Sequence, residues 1–184
     1  MRKLIYAINL TLDGCCDHTK TGGGGDEMLE HYTHLLGETD LLVYGRKTYQ
    51  LMVPYWPDVA KDSSQSPAAI KFAQTFDALR KVVFSRTLTS AEDNATIARS
   101  GLQDEILQLK QQPGKSILTG GVSIPSQLIE LGLVDEIRIV VAPYLAGEGR
   151  RLMEGVSLPE SRKLQLIDSK IFPSGSVALR YLQP

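Results

Sequence analysis

The sequence predicts an α/β domain, and three stretches carry that expectation. In Ser116–Met153 a short apolar run (Ile117, Leu118) meets Gly120 and Gly121. Ile124, Leu128 and Leu131 then recur at helical spacing, Gly132 is placed to stop the helix, and Val134 to Ala142 is a β-branched strand. Leu41-Leu42-Val43-Tyr44 runs straight into Gly45-Arg46-Lys47-Thr48, with Tyr49, Leu51 and Met52 at helical spacing behind it. Lys81-Val82-Val83-Phe84 is a third strand, and it ends on the polar pair Ser85-Arg86.

In chain order, Lys3 to Leu12 reads as the first strand and Asp13-Gly14 as a turn. Residues 15 to 25 form a loop that ends in four consecutive glycines, which lose much entropy on ordering. Its length suggests a lid over a site, the other reading being merely a long connection. Asp26 is the expected N-cap of a helix to about Leu36, with Met28, Leu29, Tyr32, Leu35 and Leu36 as its apolar stripe. Glu27, His31 and His34 fall on another face and read as a solvated polar surface. Pro54-Tyr55-Trp56-Pro57 closes the helix after Gly45, and residues 58 to 66 read as polar loop. Ser66-Pro67 is an N-cap and N1 pair for a helix to Leu79. A short strand is expected at Ala95 to Ala98, and Ser100-Gly101-Leu102-Gln103 as a capping box for a helix stopped by Pro113-Gly114. Arg162 to Ile171 and Ser176 to Leu182 alternate as strands joined by Phe172-Pro173-Ser174-Gly175, which predicts a C-terminal antiparallel hairpin.

Composition narrows the function. The 184 residues suit one domain over 1–184, and no linker or repeat divides them. A formal net charge of −1, from 20 basic and 21 acidic residues without a long run, argues against a surface built for nucleic acid. No apolar stretch approaches the roughly 20 residues of a membrane span, and Met-Arg-Lys leads into a strand too quickly for a signal peptide. The two cysteines, Cys15 and Cys16, are adjacent and make no disulfide framework, so a reducing cytoplasm is the expected location. With His18 they are too crowded, and too few, for a metal site; none is expected.

Function is read from the three strand ends. In an open α/β sheet ligands bind beyond the carboxyl ends of strands. Arg46 and Lys47 in a first helical turn oppose the helix dipole, a conflict that an anionic ligand resolves. Gly45, Arg46 and Thr48 suit a diphosphate, Ser85 and Arg86 a further phosphate. Thr119 leads into Gly120 and Gly121, which allow a ligand to lie against bare backbone. Together these point to a nucleotide.

Leu-Leu-Val-Tyr-Gly-Arg-Lys-Thr-Tyr, Val-Val-Phe-Ser-Arg, Leu-Thr-Gly-Gly and Val-Asp-Glu-Ile-Arg-Ile-Val-Val-Ala-Pro-Tyr-Leu-Ala-Gly-Glu-Gly resemble the dihydrofolate reductase superfold. The branch they are most similar to is the reductase (C-terminal) domain of the bifunctional riboflavin-biosynthesis deaminase/reductase. Leu-Thr-Leu-Asp-Gly and Ser-Gly-Ser-Val-Ala-Leu-Arg-Tyr fit that branch as well. The resemblance implies a three-layer α/β/α fold, a central, mostly parallel sheet with an antiparallel last strand, NADPH as hydride donor, and a homodimer. By motif it assigns Arg46, Lys47 and Thr48 to phosphates, and Ser85 and Arg86 to the adenosine 2′-phosphate. Gly120, Gly121, Val122 and Ser123 line the diphosphate, and Ala7 faces the nicotinamide carboxamide. Asp26 or Glu27 stands in for the carboxylate that dihydrofolate reductases use to support protonation, and Leu51, Met52 and Trp56 are candidates for the apolar substrate wall. From Lys47 to Leu79 there is no arginine to clamp a folate glutamate, and Val141 stands where those enzymes have a pterin-supporting threonine. The expected activity is therefore hydride transfer to a ribosylamino-pyrimidine or similar small heterocycle. A dihydrofolate reductase with an atypical pocket and a non-catalytic NADPH-binding protein are the alternatives.

Overall fold

A computed structural model describes residues 1–92 and 94–183. The chain forms an eight-stranded mixed sheet flanked by helices, and it divides into two compact units. The first unit comprises residues 1–2 and 25–118; the second comprises 3–24 and the chain from 119 onward.

In the first unit the strand order is β4 (Ala95–Ala98), β3 (Arg80–Phe84), β2 (Thr39–Gly45), β5 (Ser116–Thr119, whose last residue belongs to the second unit). The β3–β2 and β4–β3 pairs are parallel. β2 reads as a continuous apolar run because it is covered on both faces: Leu41, Leu42, Val43 and Tyr44 are all buried. Helices α1 (Gly25–Gly37) and α4 (Pro67–Ala78) pack on each other, α4 burying Ala69, Phe72, Ala73 and Phe76. The Ser66 hydroxyl accepts from the Ala69 N–H at 3.1 Å with Pro67 at N1, as the sequence predicts. Lys81 closes the other end of α4. Its buried ammonium donates to the carbonyls of Phe76 (3.1 Å), Asp77 (3.2 Å) and Leu79 (2.7 Å).

Three local expectations change. α1 begins at Gly25, so Asp26 lies inside the first turn with Glu27, where carboxylates meet the positive end of the dipole. A four-residue helix, α3 (Trp56–Val59), occupies the Trp56-Pro57 closure and the start of the stretch read as polar loop. Pro57 in its first turn costs no hydrogen bond there. The capping box at Ser100 does not form. Gly101 is the N-cap of α5 (Leu102–Gln111), and the Ser100 hydroxyl, one residue outside the cap, reaches the Glu105 carboxylate instead.

In the second unit the order is β1 (Leu4–Thr11), β6 (Glu136–Ala142), β8 (Val177–Leu182), β7 (Gln165–Ile171). β1 and β6 are parallel, whereas β8 pairs antiparallel with both β6 and β7. α6 (Ser123–Glu130) buries Pro125, Ser126 and Leu128, and it stops where Gly132 turns to φ +69°. The Asp13 carboxylate ties the turn after β1 to the 143–149 segment, accepting from Thr11 Oγ1 (2.5 Å) and from the N–H groups of Ala146 (3.0 Å) and Gly147 (2.8 Å). The Thr11 hydroxyl bond, followed by the two amides, holds that carboxyl well below its ordinary value. Cys15 is buried and forms a bridge with Arg151, so the 15–25 segment is anchored at its start. Its glycines, Gly22 to Gly25, all adopt positive φ. Among the described residues no helix is long and apolar enough to cross a membrane.

Candidate functional site

The first unit brings two of the predicted groups to one edge. β2 and β3 run parallel with Gly45 opposite Phe84, so Arg46 and Ser85 leave the sheet side by side. α2 (Arg46–Met52) starts there, with Gly45 as a cap that has no side chain to offer and no acid in the first turn. Its leading N–H groups therefore make no bond to a capping side chain, and two cations occupy the turn where a carboxylate is favoured. Arg46 is exposed, and its Nη1 donates to Gln50 Oε1 at 3.1 Å along the helix. Lys47 is exposed, and Thr48 is half-buried. Beyond β3 the Ser85 hydroxyl accepts from the N–H groups of Leu88 (3.0 Å) and Thr87 (3.2 Å). That hydroxyl turn carries Arg86 out as an exposed side chain. Tyr49 fastens α2 from below: its ring is buried, and its hydroxyl accepts from the Glu92 N–H at 2.8 Å.

Other first-unit candidates have clear local roles. Asp26 is exposed, and its Oδ1 accepts from the Ser66 hydroxyl at 2.5 Å, linking the first turns of α1 and α4. Glu27, beside it, is half-buried. Leu51 is 47% exposed on α2, and Met52 is half-buried. Trp56 packs edge-on against Phe72, ring centroids 4.4 Å apart, and lies on the Val59–Ala69–Ala73 cluster. Its ring is thus largely committed to the α3–α4 contact.

In the second unit Thr119 is fully buried at the end of β5, and Gly121 turns at φ +82°, a conformation that costs a glycine nothing. The Tyr6 hydroxyl on β1 donates to the Gly121 carbonyl at 2.8 Å and fixes that turn. Val122 precedes α6 without a side-chain cap, and Ser123 opens the helix. Sequence reasoning missed Arg150. Its Nη2 donates to Ser123 Oγ at 2.9 Å, its Nε pairs with Glu154 at 3.1 Å, and its carbonyl accepts from the Cys16 N–H at 2.8 Å. The segment that carries it is distant in sequence from α6, and no local pattern marks the pairing. Ala7 sits half-buried in β1, opposite Arg138 of β6. Among the described residues no three His, Cys, Asp or Glu side chains gather as a metal site.

Comparison with known proteins adds the following. The RibD C-terminal domain family matches residues 2–178. The uncharacterized protein YyaP of Bacillus subtilis (strain 168) is 31% identical over 98% of this chain and 94% of its own. A crystal structure from Shewanella sp. PV-4, assigned provisionally to riboflavin biosynthesis, superposes with a TM-score of 0.75 at 20% identity, covering 99% of each chain. Dihydrofolate reductase from Enterococcus faecalis, complexed with NADP(H) and RAB-propyl, superposes with a TM-score of 0.63 at 14% identity, covering 98% of this chain and 96% of that one. At such identities these structures establish the fold, a dihydrofolate reductase-like α/β architecture whose C-terminal strands run antiparallel.

Proposed function

Because the chain belongs to the RibD C-terminal domain family, we propose that it is an NADPH-dependent reductase acting on a small heterocycle of the phosphoribosylamino-pyrimidine type. One observation carries this reading: the parallel register of Gly45 with Phe84 sets the uncapped, doubly cationic start of α2 beside the Ser85–Arg86 turn. Three cations, a hydroxyl turn and a helix start without a side-chain cap or an acid in its first turn have the chemistry of a phosphate cradle.

In this reading Gly45, Arg46, Lys47 and Thr48 bind phosphate oxygens, and Ser85 with Arg86 binds the 2′-phosphate that distinguishes NADPH from NADH. For the second unit the family pattern assigns Thr119, Gly120, Gly121, Val122 and Ser123 to the diphosphate and Ala7 to the carboxamide. Gly121 at φ +82° and a helix start without a side-chain cap suit that role. When bound, the cofactor supplies the hydride. The chain's share is to orient the acceptor carbon and exclude water, with Asp26 or Glu27 delivering or relaying the proton and Leu51 and Met52 forming apolar wall.

The test is cofactor preference. Arg86→Ala is expected to weaken NADPH binding about tenfold or more while leaving NADH within about twofold, since one charge-assisted phosphate contact is lost for NADPH alone. Equal loss for both cofactors removes Ser85 and Arg86 from the 2′-phosphate role. Oxidation of NADPH, followed at its near-ultraviolet absorbance with the ribosylamino-pyrimidine and with dihydrofolate, then identifies the substrate class. Tight binding with no oxidation on either refutes turnover of these substrates.

A further inference from the structure

Between β6 and β7 the chain runs from residue 143 to 164 with no helix, and with no strand beyond the single Cys15–Arg151 bridge. A connection of that length in a compact unit is usually functional. Two arginines strap it to opposite ends of α6. Arg150 Nη2 donates to Ser123 Oγ at 2.9 Å in the first turn. Arg162 donates to the carbonyl of Ile129 and, at 3.0 Å, to that of Glu130 in the last turn. Between the straps Leu152, Met153 and Leu158 line a pocket of about 180 Å³, all of it within the second unit.

The far side of this pocket is apolar. Ile137 and Ile139 stand two apart on β6 and so share one face of the sheet, with Tyr6 of β1 opposite Ile137. Ile129 of α6 closes another side. β6 has a strand on each side, yet Ile139 is only half-buried, because the pocket stands where covering side chains would be. Polar groups at the rim are engaged by backbone: the Tyr6 hydroxyl donates to the Gly121 carbonyl at 2.8 Å, and the Arg162 guanidinium caps α6. Met153 adopts φ +60°, the one non-glycine with positive φ among the described residues. That conformation strains any residue with a Cβ and persists where the surroundings enforce it. Its flexible thioether adjusts readily to the shape of a guest.

We propose that this pocket binds a small uncharged molecule whose apolar body is the size of one aromatic ring. Volume sets the size, since an apolar cavity of roughly 150 Å³ stays dry and takes benzene. The straps keep the space open. With residues 150 and 162 held by α6, Leu152, Met153 and Leu158 cannot sink onto Ile139 without breaking a charge-assisted bond. A charged guest is disfavoured, because a carboxylate seated among isoleucines and leucines loses its water while Arg162 is turned to the helix end. None of the residues lining the pocket is among those assigned to the cofactor, so the site stands apart from that reading.

The test is titration of the chain with toluene, followed by methyl NMR spectra and by thermal unfolding. Saturable shifts centred on the methyl groups of Ile129, Ile137, Ile139, Met153 and Leu158 are expected. The unfolding midpoint should rise by about 3–6 °C at ten times the toluene Kd. Leu158→Phe puts a ring into the pocket from the half-buried covering segment and should weaken toluene about tenfold or more. Leu158→Ala enlarges the pocket instead; it should retain toluene and admit naphthalene, which the wild type rejects, and it serves as the test if the Phe variant does not fold. No saturable shift, shifts centred on methyl groups outside the pocket, or toluene and naphthalene affinities that neither variant changes would each overturn the proposal. Benzoate binding more tightly than toluene would overturn it too, by making the Arg162 charge the recognition element.

Discussion

Glu136→Gln is the substitution whose cost the structure sets most clearly. The Glu136 carboxylate at the start of β6 is 0% exposed. Its Oε1 accepts from Arg138 Nε at 2.6 Å and Arg180 Nε at 2.7 Å, and its Oε2 accepts from Arg180 Nη2 at 3.0 Å. Arg138 and Arg180 are direct cross-strand partners, so without this carboxylate two guanidinium groups oppose each other on one face. Burial pushes the Glu136 carboxyl up, but the bonds from Arg180 and Arg138 outweigh it and hold the group below its ordinary value. Removing one partner of a buried ion pair costs about 3–5 kcal/mol. Arg180 is partly open to solvent, its side chain 37% exposed, and Lys3 at 3.9 Å is mostly exposed, so about 3 kcal/mol is the value to expect. With a urea slope of about 2 kcal/mol/M, that moves the unfolding midpoint down by roughly 1.5 M at pH 7. The sign with pH follows from linkage. A carboxyl with a depressed folded pKa adds stability above its unfolded pKa and loses it as pH falls through the folded one. Wild type and Glu136→Gln should therefore converge in acid, below about pH 4. A midpoint shift equivalent to less than about 1 kcal/mol, or one that stays constant down to pH 3, would show that the two arginines do not depend on this carboxylate.

Two more substitutions separate effects that usually arrive together. At Gly22 φ is +73°, and an added Cβ would stand 2.6 Å from the Tyr144 ring; at Gly23 φ is +75° with nothing within 4 Å. Gly23→Ala should cost about 1 kcal/mol of backbone strain. Gly22→Ala should cost more by whatever displacing the ring requires; equal losses in thermal unfolding would show that Tyr144 moves freely. At Lys81, burial pulls the ammonium pKa down to about 8. An unfolded lysine keeps its proton to about 10.4, so between these values unfolding takes up a proton and stability rises with pH. The stability of wild type relative to Lys81→Met should therefore climb from pH 8 to pH 10, and a flat difference would mean that the three carbonyls hold the proton throughout.

Local chemistry was legible in the sequence wherever one residue and its immediate neighbours decide the outcome. Ser66 and Pro67 cap α4 because an N-cap hydroxyl and an N1 ring act within one turn. β4 lies at Ala95–Ala98, where a short strand was expected. The antiparallel end of the sheet followed from two alternating runs and a turn too short for a crossover. The misses share a cause as well. Ser100 carries the hydroxyl of a capping box, but the chain enters α5 one residue later, and composition alone does not set that phase. Trp56 looked free to line a site because its partner, Phe72, is sixteen positions away on α4.

The same division runs through the candidate site. That Gly45–Thr48 and Ser85–Arg86 follow strands could be read directly, whereas their placement side by side depends on the β2–β3 register, which belongs to the sheet. Arg150 could not be read at all. An arginine directly after a glycine in a polar segment is indistinguishable from a solvated one until Cys16 and Ser123 are seen to bracket it. Cations placed without a nearby countercharge stand out in sequence because they violate local rules, as Arg46 and Lys47 do in the first turn of α2. Arg150 violates none: its local partner, Glu154, satisfies it at i+4. Sequence reading thus finds cations placed against the helix field and overlooks those that are locally balanced.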